Sequence, residues 1–233
     1  MKRIEEIKKQ LAKRATGFIT GGFRPTNSNT ESWIGQVYLY RENEDIPIDD
    51  NGKAMLPLLQ ICLEGLPYIP DALKGSKVLT VFVSENMPGR LAYNGDDWVI
   101  REYKEEDVLV VKDIYMQSSS RIKPYPLKSQ LITEDYPVWD SGDIPMDIED
   151  ELVEMEDSGE ITDYYDYTDC FAGHKIGGYP NYIQSGIDFG DGYEFMIQIA
   201  SDEKANLNII DSGNFYLAKN SQTGDWRLYC DFY

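Results

Sequence analysis

A single histidine, three cysteines and 22 basic residues against 41 acidic ones set the first limits on this chain of 233 residues. Zinc sites use several Cys or His ligands at short spacing, and Cys62, Cys170, Cys230 and His174 supply no such set; no metal or cofactor is expected. Three irregularly spaced cysteines argue against a disulfide framework and for a reducing compartment. The shortage of Lys and Arg leaves a formal net charge of −19. Such a charge disfavours nucleic acid, whose binding depends on neutralising phosphates, and anionic membranes. No stretch approaches the roughly 20 apolar residues that span a bilayer. Met1 to Arg14 is charged throughout and lacks the apolar core of a signal peptide, so a cytoplasmic location is expected. Also missing are a phosphate-cradling Gly-rich loop, a Gly-x-Ser-x-Gly elbow and an EF-hand loop. No catalytic constellation is selected, and the reading leans away from an enzyme.

What is present is a foldable chain. Apolar residues make up 42% and aromatic ones 12%, too many for disorder. Ile4, Ile7 and Leu11 at helical spacing predict an amphipathic helix from about Lys2 to Ala15, followed by a Gly/Thr/Asn/Pro-rich loop from Thr16 to Thr30. The chain beyond is mainly strand. Ser32 to Tyr40, Met55 to Leu63, Lys77 to Val83 and Val108 to Tyr115 are expected strands, as are Glu194 to Ala200, Asn214 to Ala218 and Asp225 to Phe232. Between them, Asp140 to Asp169 holds 13 acidic residues and no Lys or Arg. Ile148, Leu152 and Met155 mark part of that run as an acidic helix with one apolar stripe.

Two segments share a pattern. Leu58-Leu59-Gln60-Ile61 is followed by Gly75 and the strand to Phe82; Met196-Ile197-Gln198-Ile199 is followed by Gly213 and the strand to Leu217. This suggests an internal duplication. A buried amide without partners costs about 1–3 kcal/mol, so Gln60 and Gln198 must each meet definite partners. They form either a polar cross-brace between two halves or the lining of a cleft.

The lone His174 lies in Gly173-His174-Lys175-Ile176-Gly177-Gly178-Tyr179-Pro180-Asn181-Tyr182-Ile183-Gln184. Paired glycines before Tyr-Pro describe a tight, pre-organised loop. Such a loop could present His174, Tyr179 and Tyr182 to a ligand, or be a structural corner in which His174 bonds backbone. Cys170, four residues before His174, offers an unspecific nucleophile–base pair.

The segment from His174 to Pro180 with Gln184 resembles the His-x-x-Gly-Gly-x-Pro…Gln signature of the YwqG-like family of bacterial proteins. Leu58 to Leu63 with the Gly75–Phe82 strand, and Phe195 to Ile199 with Asp202 and Asp211 to Tyr216, are similar as well. Where that family carries an early Gly-Gly-x-Pro, this chain has Gly35-Gln36-Val37. The resemblance implies a bacterial, cytoplasmic, duplicated α+β body with mixed or antiparallel sheets, and no activity.

One domain, 1–233, is therefore expected: an N-terminal helix (1–16), a first half (32–115), an acidic connecting region (116–170) and a second half (171–233). The leading functional expectation is a non-catalytic protein-binding module, immunity-type or adaptor-like, for a basic partner attracted by the negative field. The alternative is a small-molecule binder or enzyme working in a cleft between the halves. His174, Tyr179, Tyr182, Gln184, Gln60 and Gln198 are the candidate binding residues.

Overall fold

The computed structural model describes residues 2–26, 28, 30–87, 89, 91–114 and 118–233. It is mainly β. Helix α1 (Lys2–Leu11) leads into β1 (Lys13–Thr20), β2 (Ser32–Ile34), β3 (Leu39–Tyr40), β4 (Leu56–Cys62) and β5 (Ser76–Val83). There follow β6 (Ala92–Tyr93), β7 (Trp98–Lys104), β8 (Val110–Val111) and β9 (Tyr125–Asp135). Helix α2 (Met146–Asp157), β10 (Lys175–Gly177), β11 (Tyr193–Ala200), β12 (Asn214–Asn220) and β13 (Trp226–Asp231) complete the chain.

Eleven strands form one sheet in the order β6-β13-β12-β11-β10-β1-β9-β2-β4-β5-β7, while β3 and β8 pair separately. The ladders are antiparallel. Of the expected α+β body with mixed or antiparallel sheets, the antiparallel alternative is the one observed: among the described residues the fold is mainly β, with two α-helices beside a large antiparallel sheet. Its two ends approach each other, because β6 and β7 are joined by a turn in which Gly95 N donates to Trp98 O at 2.9 Å and Ile100 N donates to Asn94 Oδ1 at 2.9 Å. Across that seam Lys219 of β12 donates to Glu102 of β7 at 2.8 Å, and Trp226 of β13 donates to the same carboxylate at 3.3 Å. The sheet is nearly closed.

Its concave side is filled by apolar residues at alternate positions, among them Leu59, Ile61, Leu79, Val81, Ile197, Ile199, Phe215 and Leu217. Both faces of β4 are covered, and all seven of its residues are buried, which is why it reads as a continuous apolar run. On the outside, Phe82 packs under Val37, Tyr40 and Met55, and Tyr216 and Ala218 pack with Tyr182 and Phe189.

The order is symmetric about the central β1–β9 pair. Outward on one side run β10, β11, β12 and β13; on the other, β2, β4, β5 and β7. Gln198 stands opposite Lys175, and Gln60 opposite Trp33. The register breaks between Phe195 and Ile197 in one arm and between Pro57 and Leu59 in the other.

Several local expectations differ. The N-terminal helix stops at Leu11, and the stretch from Lys13 to Thr20, assigned partly to helix and partly to loop, is the central strand β1. The segment 116–170 supplies the other central strand, the eleven-residue β9, besides α2. Of the strand expected over Val108 to Tyr115, only Val110–Val111 forms a ladder; Tyr115 lies outside the described residues. The acidic helix is present, with Ile148, Leu152 and Met155 buried against Ile4, Ile7 and Leu11 of α1. Arg3 of α1 pairs with Glu151 of α2.

Candidate ligand-binding cavity

The segment from Cys170 to Gln184 is held by buried acceptors on three sides. Asp135, at the end of β9, is wholly buried; its Oδ1 accepts from Phe171 N at 2.7 Å and its Oδ2 from Tyr179 N at 2.8 Å. Lys175, also wholly buried, donates to that Oδ2 at 2.8 Å. Gln198 Oε1 accepts from Asn181 N at 2.7 Å, while its amide nitrogen donates to the carbonyls of Ala172 and Gly173, each at 3.0 Å. Asp231 Oδ2 accepts from Ile183 N at 3.0 Å and Gln184 N at 3.1 Å. Between these anchors Gly177 and Gly178 both adopt left-handed φ, +75° and +71°. A Cβ on Gly178 would stand 2.0 Å from Asp135 Oδ2, so the second glycine is demanded by contact as well as by conformation.

His174 is a structural corner. Its Nδ1 accepts from Ala200 N at 3.1 Å, which leaves the ring proton on Nε2, facing Asp202 Oδ2 at 3.2 Å. Burial alone would raise the Asp202 carboxyl, but the contacts with His174, Thr20 and the Ala205 amide hold it far below the usual range. Cys170 and His174 do not pair. The thiol lies 3.4 Å from Lys175 Nζ, and burial pushes it up to about 12, against the opposing charge of Lys175; a thiol so shifted is no nucleophile at neutral pH.

Gln60 accepts from Tyr38 N at 2.9 Å and Leu39 N at 3.0 Å, and donates to Glu31 O at 2.9 Å. Like Gln198, it braces a neighbouring loop with both ends of its amide, but it accepts from two N–H groups and donates to one carbonyl, where Gln198 accepts one and donates to several. Gln184 is exposed and donates to Phe232 O at 2.7 Å. The six candidate residues therefore do not meet at one opening. Gln60 lies in one arm, His174 and Gln198 are sealed behind the loop, and Tyr179 and Tyr182, both largely buried, show only an edge to the space beside it.

Those two tyrosines, with Gly177, Gly178 and Pro180, line a cavity of about 730 Å³. Tyr68, Pro70 and Asp71 close it from the loop after β4; Ser141, Gly142 and Asp143 from the acidic region; Glu194 to Met196 from β11. The volume is that of a small-molecule site. Tyr179 is fixed at both ends, its hydroxyl donating to Leu11 O at 2.8 Å, and Tyr182 packs against Tyr216 at a tilt of 52°, with centroids 4.8 Å apart.

Lys13 completes the cavity. Its Nζ lies 3.8 Å from the centroid of the Tyr179 ring, and it is the one cationic side chain lining the space among the described residues. Burial lowers the Lys13 amine, opposed by the charges of Asp143, Glu194 and Asp135. Burial raises the Asp143 carboxyl, opposed by Lys13 and by a bond to Ser141. By surface area both residues count as exposed; standing in an open concavity, they meet solvent while neighbouring protein atoms still displace much of their hydration. Nothing in the local sequence singles out Lys13 or Asp143, which reach this place only through the pairing of β1 with β9 and β10.

A second cavity, of about 470 Å³, involves Leu56, Ile122 and Asn206 to Asn208. Leu56 precedes Gln60 by as many residues as Glu194 precedes Gln198, yet no lysine lines it among the described residues.

The chain belongs to the family described as a domain of unknown function (DUF1963), whose model matches residues 34–222. No curated protein matches it. Among the described residues no helix is long and apolar enough to cross a membrane, and no group of three His, Cys, Asp or Glu side chains is placed to hold a metal ion.

Proposed function

We propose that this protein binds a small polar molecule in the cavity beside the Gly177–Tyr182 loop. One observation carries the reading: a rigidly braced loop, with Tyr179 and Tyr182 packed into it, borders a cavity of about 730 Å³ that Lys13 and Asp143 also line. Concave sites with convergent polar groups and perturbed titrations are where ligands usually bind. The lining acids Asp71, Asp143, Asp188 and Glu194 outnumber the single lysine, which favours a neutral or amine-bearing ligand over an anion. The test is a thermal-shift screen of polar metabolites against the wild type and Ile187→Trp, which fills the space. A ligand at a hundred times its Kd stabilises by about 2.7 kcal/mol; the reading predicts hits that Ile187→Trp abolishes. Hits unaffected by that change, or none at all, count against it.

A basic protein partner is a second reading, favoured by α2. Its outer stripe carries exposed Met146 and Val153 with Asp150 and Asp157 between and beyond them, an apolar line in an acidic field. Capture of a basic protein at low salt and its release at high salt would support this reading. The braced amides of Gln60 and Gln198 at corresponding points of the two arms, and the similar run of strands outward from β1–β9 apart from β6, support a further proposal, that the two arms are an internal duplication in a cytoplasmic, bacterial protein of the YwqG-like type.

A further inference from the structure

We infer that Lys13 is an amine nucleophile that captures an aldehyde or ketone ligand in this cavity as an imine. The inference rests on the cavity reading above and names the chemistry of its ligand.

Lys13 is the first residue of β1, opposite Asp135, and the register shifts between Lys13 and Ala15. Such irregularities re-aim a side chain away from the ladder. Its stem therefore leaves the sheet toward Tyr179, and the amine forms no ion pair or hydrogen bond among the described residues. The buried lysines are committed: Lys175 to Asp135 and Lys219 to Glu102; Lys204 donates to Thr20 O at 2.6 Å. Among the described residues, Lys13 is the one lysine lining the cavity of about 730 Å³.

Reactivity of an amine toward a carbonyl needs the neutral form. The Tyr179 ring and the acids Asp143, Glu194 and Asp135 favour the ammonium, and burial outweighs them. Asp143 lines the same cavity, and burial pushes its carboxyl upward against the opposing effects of Lys13 and Ser141, the direction that suits a proton donor. The nitrogen lone pair attacks the carbonyl carbon, the C=O π pair moves to oxygen, and one N–H proton passes to that oxygen to give the carbinolamine. Asp143 protonates the hydroxyl, the C–O bond breaks, water leaves as the nitrogen lone pair closes the C=N bond, and the remaining N–H proton returns to the Asp143 carboxylate. No electrons are exchanged with any other species.

The test is reductive trapping of the full-length protein with glyceraldehyde and cyanoborohydride at pH 7, read by peptide mass mapping. Lys53 and Lys74, whose side chains are 65% and 69% exposed, serve as internal references. Lys13 should be modified at least tenfold faster than either, and Asp143→Asn should slow it several-fold without changing the reference rates. Ile187→Trp should protect Lys13 selectively. A Lys13 that reacts no faster than Lys53 overturns imine capture, and so does an Asp143→Asn variant trapped at the wild-type rate. The metabolite screen does not depend on amine chemistry, so ligands that bind without trapping would leave the cavity reading standing while this inference fails.

Discussion

Asp135 and Lys175 meet at 2.8 Å with neither side chain exposed, and the same carboxylate holds the backbone of Phe171 and Tyr179. One acid thus closes the Cys170–Tyr179 stretch at both ends while neutralising a lysine inside the fold. A buried pair of this kind contributes little beyond an apolar replacement, but removing one member strands the other.

Lys175→Met should accordingly destabilise the protein by about 3–5 kcal/mol. The double variant Asp135→Asn/Lys175→Met should recover a large part of that loss, because no charge is left unpaired. Urea unfolding of the two variants measures the difference. A double variant as weak as the sum of its parts would show that the pair does not act as a unit.

The two glutamines offer a test of independence. Gln60→Leu and Gln198→Leu each leave backbone N–H and C=O groups unpaired, at a cost of about 1–3 kcal/mol. Because they brace separate arms, their effects should add to within about 0.5 kcal/mol. Strong non-additivity in equilibrium unfolding would mean that the arms communicate.

Glycine substitutions separate strain from contact. Gly65 and Gly178 both have left-handed φ, +77° and +71°, but a Cβ on Gly65 meets nothing within 4 Å. Gly65→Ala should cost about 1–2 kcal/mol, the conformational part alone. Gly178→Ala must also displace Asp135, and should lower the melting temperature clearly further. Equal shifts in calorimetry would contradict the contact argument.

Acid should open the seam of the sheet. Burial raises the Glu102 carboxyl, but bonds from Lys104, Lys219 and Ser76 more than reverse this and bring it to about 2. A carboxyl depressed in the folded state stabilises above its unfolded pKa, roughly 4.3, and loses that contribution as pH falls toward 2. The stake is on the order of 3 kcal/mol. Unfolding free energies at pH 7, 4 and 2.5 should therefore fall more steeply for the wild type than for Glu102→Gln.

The thiols should be slow. Burial raises Cys62, Cys170 and Cys230 to about 12 each, so iodoacetamide at pH 7 should modify none of them at the rate of a free thiol. Rapid labelling of Cys170 in the folded protein would reopen the idea of a cysteine nucleophile.

The elements legible in the sequence were those whose burial is written in apolar side chains. β4, β5, β11, β12 and β13, and the stripe of α2, carry runs or periodicities that no solvated segment would keep. β1 and β9 carried no such signal. Lys13-Arg14-Ala15 read as the end of the N-terminal helix and Thr16-Gly17 as loop, and Tyr125-Pro126-Leu127-Lys128-Ser129 has Pro and polar residues where a core strand would have aliphatics. They are strands because each finds partners on both edges, and those partners lie far away in the chain. Gly17 illustrates the reason: a Cβ there would meet Ile132 Cδ1 at 2.8 Å, a contact invisible in its own neighbourhood.

The sequence by itself determined the apolar strands, the acidic helix, the braced Gly-Gly-Tyr-Pro loop and the need of Gln60 and Gln198 for partners, because composition, periodicity and the cost of burying an amide are local properties. Only the tertiary structure decided that His174 is spent on Asp202, that Cys170 faces Lys175, and that Lys13 and Asp143 share a cavity with Tyr179. Those juxtapositions arise from antiparallel pairing between strands up to about 160 residues apart, and long-range register is set by the whole sheet at once.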